Sequence, residues 1–201
     1  MKKGRLFVIS GPSGTGKGTI CRSLLKTVDA ALSVSMTTRE PRLLEKDGES
    51  YFFVTKKRFD EVVSEGGFYE YAEVYGEFYG TPKAPVEKRL SDGGDVILEI
   101  DTQGAMQVKE ACPDGIFVFI LPPSMAVLRS RIVGRGSEPL DKINIRMGKA
   151  ENEIGFLVRY DYCVVNENLS EAVSDVAAIM RAEHLRVGED AEARIEKYRN
   201  E

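Results

Sequence analysis

Long apolar runs are missing from this 201-residue chain. The longest, Ile116-Phe117-Val118-Phe119-Ile120-Leu121, is strand-sized and stops at Pro122-Pro123, far short of the ~18 residues of a membrane-spanning helix. The start, Met1-Lys2-Lys3-Gly4-Arg5, is basic, but only residues 6–9 follow before Ser10-Gly11-Pro12, too few for the ~7–15-residue apolar segment of an export signal. Cysteine is scarce. Cys21, Cys112 and Cys163 are odd in number and widely spaced, with no CxxC pair. That speaks against a disulfide-stapled chain and suits a reducing cytosol, with all three as small buried hydrophobes. An excess of positive charge is also absent: 28 Lys and Arg against 32 Asp and Glu leave −4, which excludes a protein built to coat nucleic acid. Apolar residues make up 42%, so disorder is excluded too. The one histidine, His184, falls late in the last helical pattern, where a surface or packing role is expected. A cytoplasmic, globular, single-domain protein with no membrane or nucleic-acid partner is the expectation.

What is present is an alternation of buried strands and helices. Leu6-Phe7-Val8-Ile9 is a short apolar run bounded by turn residues, and residues 19–28 then carry Ile20, Leu24, Leu25 and Val28 at helical spacing. Residues 95–100, 116–121 and 162–165 read as further buried strands. Residues 103–111, 124–133 and 139–156 read as helices, as does the stretch from 170 onward. This order predicts a parallel sheet covered on both faces, an α/β fold. Residues 33–81 break the rhythm. They are rich in Tyr, Phe and Thr with turns at Asp47-Gly48 and Gly66-Gly67, and predict short, partly antiparallel strands inserted into the framework. Tyr71, Tyr75 and Phe78 are expected in the core of that insertion, and residues 187–201 form a solvated helical tail.

Gly11-Pro12-Ser13-Gly14-Thr15-Gly16-Lys17 directly follows the first strand and opens a helix. Glycines let the backbone wrap so that successive N–H groups point at phosphate oxygens. The helix N-terminus adds positive potential, and Lys17 reaches the β and γ phosphates of a nucleoside triphosphate. This is a P-loop with one departure. Ser or Thr usually follows the lysine and binds Mg²⁺, whereas here Gly18 stands first and Thr19 second. The expectation is Mg²⁺ held by nucleotide phosphates and water, with Glu99 or Asp101 beyond that water and Thr19 on the α-phosphate. Glu99 and Asp101 lie on one side of the strand that ends in Glu99-Ile100-Asp101-Thr102-Gln103-Gly104, at the strand end where ligands of open α/β sheets bind. Capping the next helix is the other role open to Asp101 or Thr102.

A second anion site is suggested by Ser35-Met36-Thr37-Thr38-Arg39-Glu40-Pro41-Arg42, with Asp47-Gly48-Glu49-Ser50-Tyr51 close behind. Two arginines three apart around a proline make a stiff bifurcated anion binder. Phe68-Tyr69-Glu70-Tyr71-Ala72-Glu73-Val74-Tyr75-Gly76-Glu77-Phe78-Tyr79-Gly80-Thr81 follows. Taken in order, S-x-T-T-R-x-P-R, D-G-x-x-Y, E-x-A-x-V-x-G-x-x-Y-G-T and I-D-x-Q-G resemble the bacterial type of guanylate kinase over residues 4–186. The resemblance implies a P-loop three-layer α/β/α fold with a parallel core sheet, a small mixed α/β GMP-binding insertion and an arginine-rich helical lid. It places the core at residues 1–33, 82–124 and 157–201, the insertion at 34–81 and the lid at 125–156. It further implies that Arg39, Arg42, Tyr51 and Tyr79 hold the GMP phosphate, and that Ser35, Glu70, Thr81 and Asp101 read guanine. The chemistry agrees: guanine N1–H and N2–H₂ are neighbouring donors that one carboxylate accepts together, whereas adenine N1 would oppose lone pairs. Ser35 and Thr81 hydroxyls can donate to guanine O6.

Arg129, Arg131, Arg135 and Arg146 lie on two helical patterns joined by Gly134-Arg135-Gly136-Ser137. The resemblance places Arg135 and Arg146 on the transferring phosphates and Arg131 near ATP, with Arg129 a solvated residue, and Asn166 at the position that contacts adenine. No general base is needed, because a phosphomonoester with a second pKa near 6 is largely dianionic at pH 7. Transfer then rests on alignment and charge neutralisation by Lys17, Arg39, Arg42, Arg135, Arg146 and Mg²⁺. The expected reaction is ATP + GMP ⇌ ADP + GDP, by a monomer or homo-oligomer. Two other readings stay open: a non-catalytic guanylate-kinase-like binding module, and another nucleoside monophosphate kinase, since Gly-Lys-Gly-Thr also resembles the loop of adenylate kinases.

Overall fold

The computed structural model describes residues 3–134, 140–188 and 191–200. Strand β1 (Leu6–Ser10) runs through the glycine loop into helix α1 (Lys17–Leu24), and β2 (Ala30–Leu32) follows. The chain then builds β3 (Met36–Thr37), β4 (Phe52–Phe53), α2 (Lys56–Ser64), β5 (Phe68–Val74) and β6 (Glu77–Pro82). Helix α3 (Lys83–Ser91) returns it to β7 (Asp95–Glu99), α4 (Thr102–Ala111), β8 (Ile116–Leu121), α5 (Met125–Val133) and α6 (Leu140–Ile154). A 3-10 turn at Gly155–Arg159, β9 (Tyr162–Val165), α7 (Leu169–Leu185) and α8 (Ala191–Arg199) complete it.

The larger sheet has the order β2-β7-β1-β8-β9, with every pair parallel. Alternation along a strand sends successive side chains to opposite faces. Phe7 and Ile9 of β1 therefore pack with Ile97, Val118 and Ile120 against Ile20 and Leu24 of α1 and Val176 and Met180 of α7. Leu6 and Val8 face the other way, packing with Val96, Leu98 and Phe117 against Val86 and Leu90 of α3 and Ala105 and Val108 of α4. Both faces are thus apolar, which is why β1 is buried along its whole length. Each large side chain so covered contributes on the order of 2 kcal/mol. The register sets Ile9 beside Glu99 and Ser10 beside Phe119. Asn166 N–H donates to Leu121 carbonyl oxygen at 2.8 Å just past β9. The glycine loop, Glu99 and Asn166 consequently share one edge of the sheet.

The smaller sheet, in the order β4-β3-β6-β5, is mixed: β3 is parallel to β4 and antiparallel to β6, and β5 and β6 form a hairpin. Its core is Phe59 and Val62 of α2 against Phe68, with Met36 and Phe78 alongside; Phe59 and Phe68 stack at 4.6 Å between centroids. A helix in this stretch agrees with the mixed α/β insertion that the resemblance implied; the residue pattern itself pointed only to strands, because the first turn of α2, Lys56-Lys57-Arg58, hides a short apolar face. Its start is fixed by Thr55, whose hydroxyl accepts from Arg58 N–H at 3.2 Å. Tyr75 is not in the core as expected. It forms a two-residue hairpin turn with Gly76, both at positive φ (55° and 84°), and the turn carries its ring out of the sheet into full exposure.

Other expectations shift by a residue or more at element ends: the first helix stops at Leu24, and the helix expected over 139–156 runs from Leu140 to Ile154. Cys21 is buried, but Cys163 is exposed, because β9 is an edge strand and only Val164 of it turns fully to the core. His184 is more than a surface residue. Its ring nitrogen lies 2.7 Å from an Asp95 carboxylate oxygen, whose partner oxygen accepts from Arg5 N–H at 2.8 Å, tying α7 to the starts of β1 and β7. Arg135, expected in the lid, lies outside the described residues. No helix among the described residues is long and apolar enough to cross a membrane.

Candidate functional site

The glycine loop leaves β1 with Gly11 at φ 140°, and a Cβ there would meet Ile120 carbonyl oxygen at 2.4 Å, so the backbone lies tight on β8. Helix α1 opens at Gly16 without a side-chain cap, which leaves its first-turn N–H groups to an anion. Lys17 Nζ donates to the Gly11 and Pro12 carbonyl oxygens at 2.6 and 3.1 Å, spanning the loop. Burial lowers the Lys17 pKa, and the carboxylates of Glu99, Glu153 and Asp101 push it back up.

Gly18 lies against Glu99: a Cβ at that position would stand 3.0 and 3.2 Å from the two Glu99 carboxylate oxygens, which would have to give way by a few tenths of an ångström. Glu99 and Asp101 line a 340 Å³ cavity with Ser13, Lys17 and Gly18. Asp101 also caps α4, accepting from Gly104 N–H at 2.8 Å. Among the described residues, no group of three or more His, Cys, Asp or Glu is placed to hold a metal ion.

Asn166, 6% exposed, donates through Nδ2 to Thr15 carbonyl oxygen at 2.7 Å, and Arg131 donates to the Asn166 carbonyl oxygen at 2.8 Å. Asn166 therefore staples the glycine loop to the end of β9. A 430 Å³ cavity lies beside it, lined by Thr19, Arg131, Gly134, Asn166 and Leu169. Arg146 reaches in from α6 and donates to Ser13 Oγ at 2.8 Å. Arg129 bonds Asn144 on the exposed side.

The smaller sheet carries the second group. Arg39 donates from Nε to Tyr79 Oη at 3.3 Å, and its guanidinium lies 5.6 Å from the centroid of the Tyr51 ring. Tyr51 and Tyr79 stand edge to face at 6.0 Å. Glu45, which no motif singled out, pairs with Arg39 at 2.9 Å and accepts from Arg42 N–H at 2.8 Å. The hydrogen bond with Glu45 raises the Arg39 pKa, and the same bond lowers that of Glu45. Arg42 itself is exposed, and Ser35, just ahead of β3, is half-buried.

Glu70 lies between β6 and the start of α4. Thr81, 1% exposed, donates its hydroxyl to Glu70 Oε1 at 2.6 Å, and a Cβ on Gly104 would be 3.1 Å from Oε2. Thr81, expected to donate to guanine O6, donates in this structure to the Glu70 carboxylate, a strong acceptor. Burial raises the Glu70 pKa, the Thr81 hydroxyl opposes that shift, and the Asp101 carboxylate adds to it. Asp101, at the start of α4, thus lies within electrostatic reach of both Glu70 and Lys17.

Two residues that sequence reading passed over, Lys149 and Glu153 of α6, line the loop cavity as well. The signal was available in the spacing 146, 149, 153, one stripe of a helix.

The model of the guanylate kinase family matches residues 3–183. The chain is 48% identical over 202 residues to the guanylate kinase of Clostridioides difficile, spanning 100% of this chain and 98% of that relative. It is 53% identical over 186 residues to that of Clostridium acetobutylicum, spanning 92% and 89%. Among solved structures it resembles guanylate kinase from Anaplasma phagocytophilum, with a TM-score of 0.73, 35% identity and coverage of 92% and 89%. A shikimate kinase from Bacteroides thetaiotaomicron, 14% identical with a TM-score of 0.50, shares the fold alone.

Proposed function

This chain belongs to the guanylate kinase family and phosphorylates GMP at the expense of ATP, and from that premise we propose how its residues divide the work. The glycine loop from Gly11 to Gly18 with Lys17 holds the β and γ phosphates, Thr19 bonds the α-phosphate, and Arg131 and Asn166 border the adenine end. Arg39, Arg42, Tyr51 and Tyr79 hold the GMP phosphate. Ser35, Glu70, Thr81 and Asp101 read the base. Arg146 and Arg135 neutralise the group in passage. Residues 34–81 act as the GMP-binding unit and 125–156 as the lid over a core of 1–33, 82–124 and 157–201.

The observation that carries the base assignment is the half-buried Glu70 carboxylate held by Thr81 at 2.6 Å. It offers paired acceptors that suit guanine's two adjacent donors and oppose adenine N1, and a buried mismatch of that kind discriminates strongly. The GMP dianion attacks without losing a proton, so positioning and charge neutralisation do the rest. The direct test is ADP release with ATP and Mg²⁺ in the presence of GMP, AMP or no acceptor. Turnover with GMP alone is expected. Turnover with AMP would overturn the base pocket, and GMP binding without turnover would indicate a recognition module.

Mg²⁺ suits the oxygen donors present. Glu99 and Asp101 would hold it through water while nucleotide phosphates supply direct ligands, and when bound it neutralises phosphate charge. Asp101→Asn keeps an acceptor for the α4 cap but loses the charge. It should raise the Mg²⁺ concentration for half-maximal rate by about tenfold, as loss of an outer-sphere partner does. An unchanged Mg²⁺ titration would remove Asp101 from that role.

A further inference from the structure

Helix α6 carries more charge to the phosphate cavity than Arg146. Positions 146, 149 and 153 form one stripe of the helix. Ile143 and Ala150, flanking that stripe at i,i+3 and i,i+4 spacing, pack against Leu128 and Ile132 of α5. That packing fixes the rotation of α6 and aims the stripe at the glycine loop. At one end Arg146 donates to Ser13 Oγ at 2.8 Å. At the other, Glu153 is 6% exposed and lines the loop cavity with Lys17 and Asp101. Between them the Lys149 ammonium lies 3.6 Å from Glu153 Oε1.

Lys149 also lines an adjoining cavity of 690 Å³, bounded by Ser13, Arg146 and Tyr75 at the tip of the β5–β6 hairpin. It therefore stands where the loop cavity opens toward the tip of the β5–β6 hairpin. A carboxylate as buried as Glu153 is stable only with partners. Burial raises its pKa, and Lys149 and Lys17 pull it back.

We propose that Lys149 is a further cation of phosphoryl transfer, and that Glu153 is a positioning residue holding its ammonium at the mouth of the phosphate cavity. The Lys149 side chain is 59% exposed on a flexible four-carbon arm, so its ammonium turns from Glu153 to a phosphate oxygen as negative charge spreads over the moving group. It makes and breaks no covalent bond. Its contribution is charge neutralisation in the transition state, and Glu153 holds it at the cavity mouth beforehand.

The inference rests on the loop cavity being the triphosphate site. GMP-dependent ADP release by the unmodified protein tests that reading separately. Steady-state kinetics of Lys149→Met, Lys149→Arg, Glu153→Gln and the double variant Lys149→Met/Glu153→Gln test the proposal. Lys149→Met should lower kcat about tenfold, roughly the loss of one transition-state charge contact, with KM for GMP nearly unchanged. Lys149→Arg should restore most of the rate. Glu153→Gln should lower kcat about threefold on its own and have no further effect beside Lys149→Met, the coupling expected of two residues acting as a unit. Ordinary kcat in Lys149→Met, an arginine variant as slow as the methionine one, or a full Glu153→Gln loss in the Lys149→Met background would each overturn it. Thermal unfolding identifies a variant that fails to fold. Should Glu153→Gln be one, the exposed Lys149 variants decide the matter alone.

Discussion

Lys17→Met should reduce GMP-dependent ADP release by about 10³-fold or more, the upper range for removing one preorganised charge donor from a closed site. Methionine matches the length of the lysine stem but carries no charge. A triphosphate in the loop cavity would then face Glu99, Asp101 and Glu153 with its principal counter-charge gone. GMP binding, assigned above to the smaller sheet, should survive, and calorimetric titration with GMP provides the internal control. Loss of GMP binding as well would mean that Lys17 acts mainly by spanning Gly11 and Pro12 to hold the loop in shape. The same residue sets an alkaline limit. Its amine works protonated and burial lowers its pKa, so kcat/KM for ATP should fall as pH rises through a value below that of an ordinary lysine. In a Lys17→Arg variant, whose guanidinium does not titrate in that range, the limb should vanish from whatever activity remains.

How much of this was legible in the sequence depends on how local each signal is. Strands β1 and β8 are buried on both faces, so they read as unbroken apolar runs with turn residues at their ends. The glycine loop is local too, since seven consecutive residues carry its geometry. Helix α2 was not legible, because its three leading cations mask a buried face of Phe59 and Val62. Nor was β2, an edge strand of half-buried residues. The site divides the same way. Arg39 and Tyr79 could be named from their motifs, but Glu45 could not: it meets Arg39 only because the chain between them folds back. The closeness of Gly18 to Glu99 was equally hidden, since Glu99 reaches it from a strand about eighty residues away in sequence, paired beside β1. Contacts made by the packing of distant elements, as at Asn166 and Thr15, leave no periodicity to read.

Glu70→Gln is expected to lower kcat/KM for GMP by about 10²- to 10³-fold, through loss of a half-buried charge-assisted acceptor. A carboxamide keeps one acceptor but turns an NH₂ toward a guanine donor, setting donor against donor. Thr81 would still find an acceptor if the carboxamide oxygen turned to it, and the mismatch would then fall wholly on the base. The pH dependence separates this cause from a change in shape. A protonated glutamic acid also has one acceptor and one donor, so at low pH the wild-type protein should behave like the variant. Burial raises the Glu70 pKa, so ionised Glu70 is lost as pH falls through a value above that of an ordinary glutamate. The ratio of wild-type to variant kcat/KM should accordingly shrink toward one over that interval. Titration of the GMP phosphate, with its second pKa near 6, affects both proteins and cancels in the ratio. A ratio that stays constant with pH would show that the Glu70 charge does not read the base, and recognition would then pass to Ser35, Thr81 and Asp101.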